Sequence, residues 1–323
     1  MPSWRIEMVG TRSAPTSAWI ILSIAVLAVS SAGVVLQEMS DVPPILRAAW
    51  RMQGTALVLL PGFLFQAYRS SDLDITRNDL LLVIASSAFL AAHFGSWVWS
   101  LDNTSLVHSL LFVNTHPLVV VAIMPLMGEA VRRGHLVGVA LGFAGATIAL
   151  MDVGDGGQVT IAGDFSAFIG AVTVVGYILI GRHLRSDRRM PIFVYAFPVT
   201  LGAGVWLSVG TFLFESSSIS SINPTESLLG WADPEWLAWV AYLALGPGLC
   251  GHTGVNTVLR WIPPIVVSIV LLMEPVLGAI IGLLLTDDVL IGASTAAGGL
   301  MMMAGAVMVT MQETGQNSSE SDS

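Results

Sequence analysis

Residues 265–285 read IVVSIVLLMEPVLGAIIGLLL, an apolar run whose one charge, Glu274, stands beside a proline at its centre. An α-helix rises 1.5 Å per residue and the hydrocarbon core of a bilayer is about 30 Å thick, so about 20 such residues span it. Runs of this kind recur at about 17–37, 44–67, 79–101, 104–127, 134–152, 161–183, 190–214, 235–259, 263–286 and 288–311, ten in all. Composition agrees: 54% of the 323 residues are hydrophobic and 11% charged, against about 45–50% and about 25% in soluble domains. One core cannot absorb that excess. The sequence therefore predicts an all-α integral membrane protein with ten transmembrane helices.

Arginine sets the expected orientation. All thirteen basic residues are Arg. With the N-terminus inside, the inner segments hold eleven of them: Arg5, Arg12, Arg69, Arg77, Arg132, Arg133, Arg182, Arg185, Arg188, Arg189 and Arg260. The outer loops hold none and carry acids such as Asp41, Asp102, Asp155, Glu215, Asp287 and Asp288. The positive-inside rule then places both termini in the cytoplasm of a cell that carries the protein in its plasma membrane. A net charge of −9 lies mostly in outer loops and tail, and gives no surface for nucleic acid.

Other local features refine this reading. The only cysteine, Cys250, lies within a run, so no intrachain disulfide framework is expected. Arg5 and Arg12 precede the first run as in a signal peptide, but the run is long for one and lacks a small-x-small cleavage site before Gln37; a retained helix is predicted. Gly134, Gly138 and Gly142, echoed by Gly292 and Ala296, keep the spacing that lets helices approach closely. They are read as packing within a monomer, or at most a weak homodimer. The segment 313–323, ETGQNSSESDS, is acidic and polar and reads as disordered.

The chain repeats itself. FVNTHPLVVVAIMPLMGEAVRRG (112–134) aligns with LLMEPVLGAIIGLLLTDDVLIG (271–292), placing His116-Pro117 on Glu274-Pro275, and AGATIALM (144–151) matches AGAVMVTM (304–311). Five helices per unit is an odd number, so units 1–156 and 157–312 would enter the membrane in opposite directions. Inverted repeats of this kind build secondary transporters with a midplane substrate site.

These stretches, with VPPILRAAWRMQGTALVLLP (42–61) and RWIPPIVVSIVLLMEPVLGAIIG (260–282), resemble the EamA-type family of the drug/metabolite transporter superfamily over nearly the whole chain. Gly128-Glu129 closes the fourth run in the family's manner, whereas Thr286-Asp287-Asp288 stands at the matching place in the second unit. The resemblance implies export of small metabolites such as amino acids, nucleobases or toxic compounds through a central cavity lined by both halves.

An ionisable group at the bilayer centre costs at least about 2.5–3.5 kcal/mol, which makes Glu274 and His116, each about 18 Å from either surface, functional candidates. Pro117 and Pro275 free the carbonyls of Val113 and Leu271, which is tolerated only where protein or water meets them. Glu274 could be a structural acid, or bind a substrate amine or carry a proton. His116 and Asn114 sit beside the first break, and His108, two turns back, is expected to bond a backbone carbonyl. His93 and His252 are read at mirrored depths, as gates or as interhelical contacts, with Asn256 a turn beyond His252. Arg47 and Arg51 are expected to snorkel or to pair with Glu38 and Asp41; Arg51 could instead reach a substrate carboxylate or Glu274. Trp99, Trp231, Trp236 and Trp239 suit an interfacial belt, while Trp97, one turn from His93, could face substrate.

No G-x-x-x-x-G-K-[ST], H-E-x-x-H or G-x-S-x-G pattern occurs. The reading is a secondary transporter exporting a small solute, either coupled to a proton or ion gradient or uncoupled, with no cofactor and no enzymatic role. The alternative is a channel or scramblase-like protein.

Overall fold

A computed structural model describes residues 14–69, 74–127, 130–152, 159–219, 221–258, 261–262, 267, 270–286 and 291–321. Arg5, Arg12, Gly128-Glu129, Asp155, Arg260 and Asp287-Asp288 lie outside them. Among the described residues the chain is helical, with a single isolated bridge, Ser218 to Ser227, in place of any sheet. The helices are α1 (Thr16–Ser30), α2 (Ala32–Glu38), α3 (Pro44–Arg69), α4 (Arg77–Leu101), α5 (Leu106–Val113), α6 (His116–Ile123) and α7 (Arg133–Ala149). They continue with α8 (Ile161–Arg182), α9 (Ile192–Phe214), α10 (Pro234–Leu243), a π-helical stretch (Ala244–Thr253), α11 (Gly254–Val258), α12 (Glu274–Leu285) and α13 (Ala293–Ser321). The last helix runs through the acidic segment that reads as disordered.

Five helical stretches are long and apolar enough to cross a membrane: Thr16–Glu38, Arg77–Leu101, Leu106–Leu126, Ile161–Arg185 and Ile192–Phe214. Shorter apolar helices cover Arg133–Ala149, Glu274–Leu285 and Ala293–Val309. The distribution of polarity is inside out. Ile20, Ile24, Leu57, Leu64, Leu81, Ile84, Leu136 and Phe143 face outward, whereas Arg47, Arg51, His108 and Asp164 are buried. A soluble protein would expose the second set and bury the first. The protein is thus a multi-pass integral membrane protein.

Helix starts are capped where the sequence supplies a polar side chain. Thr76 and Asp79 form a capping box at α4, and Asp79 also accepts from Arg188 Nε and Nη2 at 3.0 and 2.9 Å. That bond raises the pKa of the exposed Arg188 guanidinium. Helix α3 begins with prolines and has no cap of its own; Glu215, just past α9, accepts from Ile45 N–H at 2.6 Å and Leu46 N–H at 2.9 Å. Burial raises the Glu215 pKa, and the hydrogen bonds from Ile45, Thr211 and Leu46 oppose the shift. Glu215→Ala is expected to cost about 0.5–2 kcal/mol, the usual loss for a helix cap, read as a lower unfolding midpoint in detergent.

The most extensive helix pair is α7 with α13. A Cβ on Gly138 would stand 2.7 Å from the Gly305 carbonyl, and one on Gly145 would stand 2.6 Å from that of Gly298. Gly138 and Gly142 therefore pack within the monomer as their spacing predicts. They meet Gly305, and Gly145 meets Gly298, whereas Gly292 and Ala296 are exposed. Elsewhere α4 packs on α8 and α9, α3 on α9 and the π-helical stretch, and α1 on that stretch, α11 and α12. The core follows this plan, with Trp50, Leu90, Phe94, Leu110, Val199 and Leu243 in its largest cluster.

Candidate functional site

Two helices break at matching places. The helix ending at Val113 turns at Asn114 and Thr115 and restarts at His116, with Pro117 in the new first turn. The second break has the same form: Leu272 and Met273 form the turn, and α12 starts at Glu274 with Pro275 following. Proline removes one N–H and suits a first turn, so both breaks follow from the His-Pro and Glu-Pro pairs. Pro117 leaves the Val113 carbonyl without its helical N–H partner. His116 Nε2 is buried with no hydrogen-bond partner among the described residues.

The breaks open on a cavity of about 120 Å³. Arg51, His93, Trp97, Asn114, His116, His252, Asn256 and Glu274 all line it, so one space collects the eight polar positions singled out in the sequence. The rest of the wall is Val29, Ala32, Val113, Val174, Ile178, Val255, Val267, Leu271 and Tyr177.

Arg51 is its only cation among the described residues other than the histidines. Its guanidinium lies over Phe94, 4.3 Å from the ring centroid, and 5.7 Å from that of Trp97. The side chain is 1% exposed, yet Nε and Nη1 have no hydrogen-bond partner. Trp97 Nε1 is likewise buried and unpartnered. Glu274 feels the charge of Arg51 but no ion pair joins them among the described residues. Among the described residues its side chain takes one hydrogen bond, a long one from Asn114 Nδ2 at 3.4 Å. The cavity thus holds a guanidinium and a carboxylate that do not neutralise each other by contact.

The remaining positions are tied down. His93 donates from Nδ1 to the Gly170 carbonyl at 2.9 Å and stacks on Trp97 with ring centroids 6.2 Å apart. His252 meets Phe94 edge-on at 5.3 Å. The two histidines read at mirrored depths therefore flank the same ring, because the π-helical stretch carries His252 against α4. Asn256 donates to the Tyr177 hydroxyl at 2.9 Å and to the His252 carbonyl. Tyr177 and Phe94 were not singled out in the sequence. A phenol deep in an apolar run needs a polar partner, which was the available signal for Tyr177; Phe94 offered none.

Sequence expectations for four residues give way here. Arg47 pairs with Asp102 and donates to the Leu36 carbonyl rather than reaching Glu38 or Asp41, because α2 and the end of α4 pack directly over it. Arg51 neither snorkels nor pairs with them; it turns into the cavity. His108 bonds side chains rather than backbone: Nδ1 lies 2.9 Å from Asp164 Oδ2 and Nε2 lies 2.8 Å from the Thr295 hydroxyl. Trp236 is buried against Trp50 at 6.1 Å rather than placed at an interface. Together Arg47–Asp102, His108–Asp164 and the Glu215 cap tie helix ends at one end of the bundle, and the cavity extends from Arg51 away from that end.

Residues 16–151 match the EamA-like transporter family. No curated protein matches the chain. A solved crystal structure, described only as "Crystal structure of protein", superposes with a TM-score of 0.61 at 21% identity, covering 92% of this chain and 97% of its own. It shares the fold over both halves.

Proposed function

Residues 16–151 being a unit of the EamA-like transporter family, part of the drug/metabolite transporter superfamily, we propose that this membrane protein is a secondary transporter that exports a small metabolite by alternating access. Of the solutes implied by the family resemblance, amino acids and nucleobases fit the scale of the cavity, whereas drug-like solutes are larger than it. The observation that carries the reading is the cavity at the two helix breaks, where buried donors of Arg51 and Trp97 have no hydrogen-bond partner among the described residues and a carboxylate has one long contact. Such groups are costly unless a translocated solute or water meets them.

Ten spans in two inverted units account for the packing. The shift that carries 144–151 onto 304–311 also carries Gly138 onto Gly298 and Gly145 onto Gly305. The close contacts Gly145 to Gly298 and Gly138 to Gly305 exchange under it. A shift of five spans likewise turns the α4 and α8 pair into that of the π-helical stretch with α1. This pseudo-symmetry supports rocking of one unit on the other. The arginine distribution supports cytoplasmic termini in a plasma membrane, with the tied end of the bundle outside and the cavity extending toward the cytoplasm, as uptake for export requires. Glu274 is the group to carry a coupling proton.

Counterflow in proteoliposomes tests this. A labelled substrate should accumulate against unlabelled solute trapped inside, saturate, and respond to pH. Glu274→Gln should reduce that flux at least tenfold and flatten its pH dependence. Flux without trans-stimulation would instead assign a channel or scramblase-like activity.

A further inference from the structure

A second cavity shares no lining residue with the first. It measures about 420 Å³ and is apolar throughout, formed by residues such as Leu118 and Val121 of α6, Pro125 just beyond, Leu136 and Phe143 of α7, and Phe168 of α8. An apolar cavity of ~150 Å³ already stays dry and takes a benzene ring, so this larger one suits a hydrocarbon. Leu136 and Phe143 are 59% and 55% exposed, which leaves the groove open on the surface that faces lipid.

We propose that this groove holds one acyl chain of an anionic phospholipid, with the lipid phosphate on Arg132 and Arg133. Val131 lines the groove, and the two arginines follow it directly at the start of α7. Both are exposed, and neither forms an ion pair among the described residues. The joint from Met127 to Gly134 sets them against one acid, Glu129, so positive charge prevails at the mouth. That joint links two apolar runs and so lies at headgroup depth. Arginine stems can follow the apolar rim while their heads stay among the headgroups, and the guanidinium fork matches phosphate oxygens. A zwitterionic headgroup would bring its own cation against both arginines.

The groove also touches the helix that carries a break. Helix α6 starts at His116, which lines the first cavity, and its Leu118 and Val119 line the second. Leu118 is seated against α7, where a Cβ on Gly142 would stand 2.5 Å from its Cδ1. An acyl chain in the groove would therefore brace α6 against α7 and α8 from the side away from the first cavity.

The test uses the full-length protein in phosphatidylcholine nanodiscs and two trace probes, phosphatidylglycerol and phosphatidylcholine with the same diazirine-bearing acyl chain, mapped by peptide mass spectrometry after illumination. Label from phosphatidylglycerol should concentrate on 118–125, 136–143 and 168–172, at least about tenfold above the phosphatidylcholine probe, given about fivefold for each arginine near an anionic lipid. Arg132→Gln with Arg133→Gln should bring the two probes level. Arg69→Gln with Arg77→Gln, an equal loss of charge at another joint, should leave the difference intact. Ala122→Trp, at an exposed position on the groove lining, should lower labelling by both probes. Label spread evenly over the lipid-facing helices, equal labelling by the two probes, or equal effects of the two arginine pairs would overturn the proposal. Displacement by oleate as effective as by unlabelled phosphatidylglycerol would also overturn it, assigning the groove to a free fatty acid. The comparison of probes on the unaltered protein decides the matter even if Ala122→Trp does not fold.

Discussion

Replacing His108 by leucine is expected to destabilise the protein by about 3–5 kcal/mol, the cost of leaving a buried ionic partner uncompensated. Asp164 is 1% exposed and its carboxylate is held by His108 Nδ1 at 2.9 Å and by the Thr104 hydroxyl at 2.7 Å. Without the imidazole one oxygen loses its partner, and Thr295 loses its contact with Nε2. The double variant His108→Leu/Asp164→Leu should recover most of that loss, because replacing a whole buried pair by apolar groups is often neutral. Unfolding by SDS titration in bicelles measures both. Equal damage in the single and double variants would show that α5, α8 and α13 are joined there by shape and not by this polar network.

Gly145→Val is expected to be worse for folding than any change in the cavity. The new Cβ would stand 2.6 Å from the Gly298 carbonyl oxygen and 2.7 Å from the Met302 nitrogen. Both are backbone atoms, so no rotamer change relieves the clash and α7 must move off α13. Overpacking where side chains can yield costs about 1–3 kcal/mol; at this backbone contact the loss should exceed that, read as loss of the monodisperse peak in size-exclusion chromatography. Gly210→Ala is the control. Its Cβ would meet Ile45 Cγ2 at 3.4 Å, an ordinary contact, and alanine inside a helix should add about 0.5–1 kcal/mol. Normal behaviour of Gly145→Val would refute the close α7–α13 crossing.

Much of the site was legible because burying polarity in a bilayer is costly. Glu274 and His116 stand out in apolar runs, and the proline after each one dictates a break that the turns at 272–273 and 114–115 display. Arg51, Trp97 and Asn256 were visible as polar or amphipathic groups at the wrong depth for lipid. The same logic failed for partners. Arg47 had two nearby acids in sequence, Glu38 and Asp41, and chose Asp102; His108 chose Asp164, 56 residues away.

By itself the sequence determined that this chain lives in a membrane, that it is built of helices, and that two of those helices break around a carboxylate and an imidazole. Each follows from short-range rules: the length of apolar runs, the missing N–H of proline, the expense of charge in hydrocarbon. Only the tertiary structure decided that His93 and His252 share one aromatic ring, that Gly145 meets Gly298, and that Arg51 lines the cavity with Glu274 but forms no ion pair with it among the described residues. Those outcomes depend on which helix faces pack together, and that choice is made by close contacts between residues far apart in the chain, which no local pattern records.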